Sequence, residues 1–210
     1  MQFINNFLRK ICILLRAKFI FKAPKKSELI FFDYNLNNHF KFFYKKKFEI
    51  IHIRMEKINF IILLNTIAKT GLKSFSINYI INYINYVSPK IILTFSDISP
   101  AFYLIKNYTN DRIKTISIQQ NFRNNYDFKQ FKLKKSFYNV DYLLTHSSYF
   151  NKYYSKNLIA DKTIEIGSFL NNFHKKKIKN KQKKGIIFIS QFKESSNDMK
   201  YFNHEKKILE

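Results

Sequence analysis

The stretch that decides the fold is "KIILTFSDISPAFYLIKNYTNDRIKTISIQQ", residues Lys90–Gln120. Its two ends, Lys90–Asp97 and Lys114–Gln120, are apolar runs with the length of buried β-strands. Between them, Ser99–Tyr108 carries apolar residues at the spacing of a helix. A strand, a helix and a second strand in this order predict a βαβ unit, in which the two strands run parallel.

The same alternation extends on both sides of this unit. Further strands are predicted at Glu28–Asp33, Phe48–Ile53, Asp141–Ser147 and Lys162–Ser168. Further helices are predicted at Asn59–Thr70, Ser74–Val87 and Ser148–Asn157, with breaks at Gly71 and Pro89. Because the strands are nearly all apolar, we expect them to be covered on both faces. The sequence therefore predicts an α/β domain, a Rossmann-like doubly wound parallel sheet, over residues 25–174.

The N-terminal residues, 1–24, have the pattern of a basic amphipathic helix that ends at Pro24. Charged residues interrupt its apolar positions, so it lacks the roughly 18 consecutive apolar residues that a membrane span needs. Such a helix either lies on an anionic membrane surface or packs on the domain that follows it. The pattern alone does not separate the two.

The C-terminal part begins with a charged stretch, 175–185, which is typical of an interdomain linker. Beyond it, Gly185–Phe192 has the pattern of another buried strand. We expect residues 186–210 to be the start of a second domain that Glu210 ends too soon to complete. A separate chain is one possible source of the rest.

Composition narrows the classes of function. Cys12 is the only cysteine, and no Cys/His spacing matches a zinc site, so we expect a reducing, cytoplasmic location and no metal. The net charge of +24 suggests nucleic acid, but the lysines are spread over nearly every segment instead of being gathered on one face. Nucleic acid is therefore disfavoured as a partner. With 3 glycines and no GxGxxG or P-loop motif, the chain has no glycine-rich phosphate loop.

Polar residues follow the predicted strands at their carboxyl ends, where open α/β sheets bind ligands. The ligand-binding candidates are Asp33, Asp97, Gln119, Gln120, Asn121, Arg123 and Ser168. An arginine beside several amides suits a phosphate, a carboxylate or a hydroxyl-rich ligand, although Asn, Asp and Ser are also ordinary turn and cap residues. We expect the cluster from Gln119 to Arg123 to be partly exposed, with few mutual ion pairs. Loss of Arg123 should then weaken ligand binding more than folding.

Two of these strand ends offer candidates for a catalytic role, Asp97 and His146. His146 is a candidate general base. A lone histidine at a strand end is, however, more often a hydrogen-bonded structural group, and spacing supplies no carboxylate partner for it. Both interpretations stay open at this point.

Several stretches, taken in order, resemble a bacterial family of surface carbohydrate biosynthesis proteins that are similar to GT-B-type glycosyltransferases. They are ELIFFD, SPKIILTFSD, TISIQQNFRNNYD, DYLLTHSSYFNKYY, IEIGSFLNN and IIFISQFKE, and the last adds Gln191 to the ligand-binding candidates. The resemblance covers the chain from about Glu28 onward. Two positions depart from the family pattern: Ile98 stands where the family has asparagine, and Phe122 where it has glycine.

The resemblance implies two Rossmann-like domains that face a cleft. The first generally addresses a saccharide or lipid-linked acceptor, and the second holds a nucleotide-sugar donor, with no other cofactor. It implies a glycosyltransferase-like role in the biosynthesis of capsule, O antigen or a related glycan, in the cytoplasm or peripherally at the inner membrane face. Whether this chain catalyses transfer alone stays open, because most of a donor domain is lacking. The alternative is a non-catalytic module at the membrane surface that binds a lipid-linked saccharide or a partner protein.

Overall fold

The computed structural model describes residues 17–33, 46–54, 56–71 and 74–169. The chain divides into two units, Met1–His174 and Lys175–Glu210, and every described residue belongs to the first. The predicted linker at 175–185, the strand at Gly185–Phe192 and the second domain therefore lie outside the described residues, and they stay predictions.

The described residues form eight strands. They are β1 (Lys18–Ile20), β2 (Leu29–Phe32), β3 (Glu49–Ile51), β4 (Lys57–Asn59), β5 (Ile91–Thr94), β6 (Lys114–Ile118), β7 (Asn139–Thr145) and β8 (Ile159–Glu165). Six of them form one sheet in the order β3-β2-β5-β6-β7-β8, and every neighbouring pair in it is parallel. The predicted α/β class with a parallel sheet is confirmed, and the arrangement is compatible with a Rossmann-like fold.

Strand order determines where the chain changes direction across the sheet. The first strand of the main sheet, β2, lies between β3 and β5. The chain runs from β2 to β3 on one side and then to β5 on the other, and it continues outward through β6, β7 and β8. The topological switch point therefore lies between β2 and β5, which is where doubly wound sheets bind their ligands.

Four helices connect the strands within the described residues. They are α1 (Phe60–Thr70), α2 (Phe75–Val87), α3 (Pro100–Ile105) and α4 (Ser148–Asn157). The Asn59 side chain caps α1 by accepting a hydrogen bond from the amide of Ile62, and Gly71 ends the helix at a φ of 60°, a conformation that glycine adopts without strain. The predicted helices are confirmed to within a few residues, except that the third is shorter and continues as a 3₁₀ turn at Lys106–Tyr108.

The described helices all pack on one face of the sheet. Their buried side chains form a single cluster with alternate strand residues such as Ile30, Phe32 and Ile92. The intervening residues, Phe31 and Leu93 among them, point to the opposite face and form a second, smaller buried cluster. The alternation follows from the period of two along a strand, and both faces are buried as the apolar runs predict. The connection from β2 to β3 lies outside the described residues, so a helical layer on the second face stays a prediction.

The predicted N-terminal helix is wrong for its last residues. Lys18–Ile20 is a strand that pairs in parallel with β4, and the Lys18 amide donates to the Glu56 carbonyl oxygen at 2.9 Å. Aromatic and β-branched residues favour a strand, and pairing with β4 supplies backbone hydrogen bonds that outweigh the helical spacing. Residues 1–16 of the predicted helix lie outside the described residues.

Strand ends also differ from the predicted ones. β5 stops at Thr94 and β6 at Ile118, so Asp97 and Gln119 lie in the loops that follow and not in the strands. β8 begins at Ile159, earlier than predicted, and its exposed residues mark it as an edge strand of the sheet. Within the described residues, no single helix is long and apolar enough to cross a membrane; α1 and α2 reach that length and composition only as a pair bent by 117°.

Candidate functional site

The parallel sheet brings most of the predicted site residues to one end, where the carboxyl ends of the strands lie; we call this the carboxyl edge. Asp33 follows β2, Asp97 lies in the loop after β5, Gln119 follows β6, His146 follows β7 and Ser168 lies after β8. Because all six strands of the main sheet are parallel, these positions share its carboxyl edge. Their detailed environments, however, differ from one another.

Asp97 and Arg123 form a buried ion pair at this edge. The guanidinium donates from Nε to Asp97 Oδ2 at 2.7 Å and from Nη2 to Oδ1 at 2.6 Å, which is a two-pronged contact. Asp97 is 0% exposed and the Arg123 side chain 8%. Burial disfavours the guanidinium charge, but the hydrogen bonds to Asp97 outweigh burial and raise the pKa of Arg123. The guanidinium therefore stays charged at any physiological pH.

Neighbouring groups use the remaining acceptor capacity of Asp97. The Tyr154 hydroxyl donates to Oδ2, and the Gln120 amide donates to Oδ1 at 3.3 Å. The Tyr103 hydroxyl donates to the Asp97 carbonyl oxygen at 2.6 Å and contacts Ser117 Oγ at 2.9 Å. Burial and the nearby carboxylate raise the pKa of both tyrosines, so both hydroxyls stay protonated as donors.

Gln119 joins the loop after β6 to the end of β7. Its side chain is 0% exposed; Nε2 donates to the Asn121 carbonyl oxygen at 2.8 Å, and Oε1 accepts from the His146 amide at 2.9 Å. Both ends of the amide are thus occupied by backbone groups. The expectation of few mutual ion pairs is wrong for Asp97 and Arg123, which pair with each other. Partial exposure is confirmed for Gln120 and Asn121 and is wrong for Gln119, which is fully buried. Whether any of these residues binds a ligand stays a prediction.

A second polar cluster lies at the switch point, at the ends of β2 and β5. The Ser96 hydroxyl donates to Asp33 Oδ2 at 2.7 Å, and Arg54 Nη2 lies 3.8 Å from the same oxygen. Thr94 links the two strands, since its hydroxyl donates to the Phe32 carbonyl oxygen at 2.9 Å and accepts from the Ser96 amide at 2.9 Å. Unlike Arg123, the Arg54 side chain is 65% exposed.

Asp33 has a backbone conformation that L residues rarely adopt, with a φ of 89°. Its amide donates to the Ile51 carbonyl oxygen at 3.0 Å, and its side chain is only 5% exposed, so the surrounding structure holds it there. Such a conformation costs about 1 to 3 kcal/mol and is concentrated at functional sites. A strained aspartate beside a hydroxyl and an exposed guanidinium, at a topological switch point, has the features of a ligand site.

His146 lies between two aromatic rings on the other side of the carboxyl edge. Its ring centroid is 6.1 Å from that of Phe122 and 6.0 Å from that of Phe150, both in edge-to-face geometry. Burial lowers the pKa of the imidazole, so it is neutral at pH 7. Its buried Nε2 has no hydrogen-bond partner in the part of the chain that the structure describes. A neutral imidazole with an unused nitrogen is able to accept a proton or a hydrogen bond.

The remaining candidates take other positions. Ser168 is partly buried next to Phe169, whose ring lies 5.0 Å from that of Phe95 above the end of β5. Gln191 lies outside the described residues. Among the described residues, no group of three or more His, Cys, Asp or Glu side chains is placed to hold a metal ion.

Sequence reasoning missed several side chains that complete these clusters. Ser96 falls inside the predicted strand Lys90–Asp97, and Arg54 lies one residue beyond the predicted strand Phe48–Ile53. The polar run Thr94, Ser96, Asp97 after three apolar residues could have indicated that β5 ends early. Tyr154 and Tyr103 occupy apolar stripes of their helices, so their spacing predicts burial but gives no sign of their hydrogen bonds to Asp97.

The fold and these contacts define an α/β protein with a cluster of polar residues at the switch point of a parallel sheet. Residues 116–209 match a protein family whose description reads "putative O-antigen biosynthesis protein". The match begins in β6 and includes Arg123 and His146, and it links the chain to surface carbohydrate biosynthesis. Comparison with curated proteins and with solved structures gave no match.

Proposed function

We propose that this chain is the acceptor-side domain of a GT-B-type glycosyltransferase that acts in O-antigen biosynthesis. The observation that carries the proposal is the strained Asp33 at the switch point, beside Ser96 and Arg54. The family match to O-antigen biosynthesis supplies the chemical context, which is the handling of sugars. The nucleotide-sugar donor follows from the resemblance and would be held largely by a second domain, on this chain or on another.

The switch-point cluster suits a saccharide hydroxyl better than a phosphate. A carboxylate accepts hydrogen bonds from hydroxyl groups, and the nearby Arg54 provides donors for hydroxyl oxygens. The O–H of Ser96 already donates to Asp33, so the Ser96 oxygen is an acceptor for a sugar hydroxyl. A phosphate would face the Asp33 carboxylate, and no glycine-rich loop follows β2 or β5 to cradle it. We therefore assign the switch-point cluster to the acceptor sugar, with Asp33 as the positioning acceptor.

His146, at the end of β7 and three strands from β2, is the proposed general base for an acceptor that extends from the switch point along the carboxyl ends of the strands. Its lowered pKa keeps it neutral, and Nε2 has no hydrogen-bond partner within the described residues. Because Nε2 is buried, the exposed Phe122 beside it must move for a substrate to reach it. Asp97, the other catalytic candidate, is an unsuitable base because its carboxylate already accepts from Arg123, Tyr154 and Gln120. A base must reach the proton that it removes, and both oxygens of Asp97 are occupied.

The test is genetic and chemical. Deleting the gene in the bacterium that carries it should remove or shorten the O-antigen ladder on a lipopolysaccharide gel, and the wild-type gene should restore the ladder. Membranes of the deletion strain, given a panel of labelled nucleotide sugars, should incorporate sugar only when the protein is added. An unchanged ladder would refute the role in O-antigen biosynthesis. Restoration of the ladder without protein-dependent incorporation would favour the non-catalytic module.

For His146, the matched variants are His146→Gln and His146→Ala. If the imidazole is the base, both lower the rate of incorporation by about 100-fold or more, the usual contribution of a general base. The wild-type rate should fall as the pH drops below the lowered pKa, and the variants should lose that dependence. A rate that falls less than tenfold in both variants would remove His146 from the mechanism.

A further inference from the structure

An apolar surface is exposed on the outer side of α1 and on β1. It comprises Phe19 (36% exposed), Ile20 (36%), Phe21 (69%), Ile61 (39%), Leu64 (52%) and Ile67 (41%). We call these six residues the α1 surface. Helix α1 buries Ile62, Leu63 and Thr66 against the core, so it is apolar on both its inner and its outer side. A surface helix of a soluble protein normally carries polar residues on the outer side.

The α1 surface is continuous. The Phe60 ring connects the β1 part of the surface to the α1 part. Its centroid lies 6.2 Å from the ring centroid of Phe19 and 5.2 Å from that of Phe21. Along the helix, Phe60, Leu64 and Ile67 follow one another at the i, i+4, i+7 spacing of a single helical face. Contiguous exposed apolar residues of this kind mark an interaction surface, whereas scattered ones do not.

The charged residues of the two segments that carry the α1 surface all have one sign. The segments 17–27 and 57–71 contain no Asp or Glu, but they contain the six lysines Lys18, Lys22, Lys25, Lys26, Lys57 and Lys69. Lys18 and Lys57 are neighbours across the β1–β4 pair, and both are exposed. Lys18 and Lys22 form no ion pair with any of the described residues. The nearest acid along the chain, Glu56, precedes β4.

We propose that the α1 surface docks the protein onto an anionic lipid bilayer. Exposed Phe, Ile and Leu side chains enter the boundary between headgroups and acyl chains, and the surrounding lysines contact anionic headgroups. A second copy of the chain fits poorly, because two surfaces bordered by six lysines each would repel one another. This inference is independent of the proposed function, because it concerns β1, β4 and α1 and not the carboxyl edge.

The absence of tryptophan in the chain allows a test at single residues. Leu64→Trp places a unique fluorophore within the α1 surface, and Leu133→Trp places one at an equally exposed leucine outside it, since the exposures are 52% and 51%. Each full-length variant is titrated with vesicles of phosphatidylcholine, with and without phosphatidylglycerol. We expect a blue shift and quenching by brominated lipid for Leu64→Trp with the anionic vesicles only, and neither for Leu133→Trp.

A pair of charge variants tests the lysines. Lys18→Gln with Lys22→Gln should weaken sedimentation with anionic vesicles by about fivefold for each lysine. The matched control, Lys132→Gln with Lys134→Gln, should change sedimentation with anionic vesicles by less than about twofold. These two lysines lie away from the bilayer in the proposed orientation, and the surface potential decays within a short distance. Circular dichroism melts of all variants should match the wild type, because the replaced side chains are exposed.

The other outcomes contradict the proposal. Sedimentation with vesicles while both tryptophans stay unshifted would mean that another segment, such as residues 1–16, binds the bilayer alone. Equal shifts for both tryptophans would indicate unfolding on the lipid. A blue shift for Leu64→Trp without vesicles, together with a larger hydrodynamic size, would show that a second copy covers the surface.

Discussion

Asp33 and Asp97 lie at the same edge of the same sheet, and both are buried, but their surroundings differ. Asp97 accepts two hydrogen bonds from Arg123 and one each from Tyr154 and the Gln120 amide. Asp33 has a strained backbone and an exposed arginine, Arg54, 3.8 Å away. Both carboxylates have partners within the protein. The difference is that Asp33 is held at the cost of backbone strain and lies beside an exposed guanidinium, whereas the arginine that pairs with Asp97 is itself buried.

The comparison shows that residue type and strand position do not identify a site. An arginine among amides is typical of ligand binding and equally of a buried structural ion pair. The partner decides between the two, and only the fold brings Asp97 and Arg123 together across 26 positions in sequence.

The largest expected effect is the loss of stability when one member of the buried ion pair is removed. Arg123→Ala or Asp97→Ala leaves an uncompensated charge in the interior and should lower the free energy of unfolding by about 3 to 5 kcal/mol. This reverses the expectation from sequence, in which loss of Arg123 affects binding more than folding. The measurement is urea denaturation. The double variant Asp97→Leu with Arg123→Met should be more stable than either single variant; a loss below about 1 kcal/mol in the single variants, as at exposed sites, would show that the pair is not structural.

Asp141, at the start of β7, shows what pairing does to pH dependence. Burial opposes its charge, but hydrogen bonds from Lys106 at 2.7 Å and from the Thr115 amide and hydroxyl at 2.8 Å lower its pKa to about 2. A carboxyl group with a lowered pKa stabilises the fold above its ordinary pKa of about 4. That contribution is lost as the pH falls from about 4 to about 2.

We therefore expect Asp141→Asn to lower the free energy of unfolding at pH 7 by about 1.5 to 3 kcal/mol, the worth of hydrogen bonds to a charged group. When denaturation is measured between pH 2 and 5, the free energy of unfolding should depend less steeply on pH in the variant than in the wild type. Equal slopes would mean that Asp141 is not the group that titrates in this range.

Asp33→Gly should separate folding from function at the switch point. Glycine adopts a φ of 89° without strain, a gain that offsets the lost hydrogen bond from Ser96. The free energy of unfolding should therefore change by less than about 1 kcal/mol, while the O-antigen ladder is lost. If Asp33→Gly lowers the free energy of unfolding as much as Asp97→Ala does, Asp33 has a structural role like that of Asp97.

The smallest effect is expected at an exposed ion-pair cluster. Lys46 and Lys90 contact Glu28 at 2.8 and 2.7 Å and lower its pKa to about 2, but all three side chains are exposed to solvent. Solvent and salt screen such pairs. Glu28→Gln should leave the denaturation midpoint and the O-antigen ladder unchanged, which makes it the control for the other carboxylate variants. A clear shift in the midpoint would show that short contacts alone predict stability here.

Much of the fold follows from sequence because its signals are local. The apolar runs at β2, β5, β6 and β7 and the helical spacing of α1 and α2 depend on neighbours in the chain, and these elements are confirmed. β1 and β4 have three residues each and are stabilised by pairing with one another, so their local patterns are too short to predict them. The shared carboxyl edge could be predicted, because it depends only on parallel strands.

The chemistry of the site could not be predicted to the same extent. Asp33 was identified as a strand-end carboxylate, but its strained φ and its hydrogen bond from Ser96 depend on the order β3-β2-β5, which the sequence does not specify. Similarly, Tyr154 reaches Asp97 from a helix 57 residues away in the chain. Contacts between distant elements decide which partners each polar residue has.

The most direct test of the central claim is a titration of the isotopically labelled full chain, followed by backbone amide NMR. The probes are a panel of mono- and disaccharides, with nucleotide sugars as a separate set. We predict that a saccharide shifts the amides of Asp33, Ser96 and Arg54, and that Asp33→Gly abolishes these shifts while the rest of the spectrum stays folded. Shifts confined to Gln120, Arg123 and Asp97, or no shift with any saccharide, would contradict the assignment of the acceptor to the switch point.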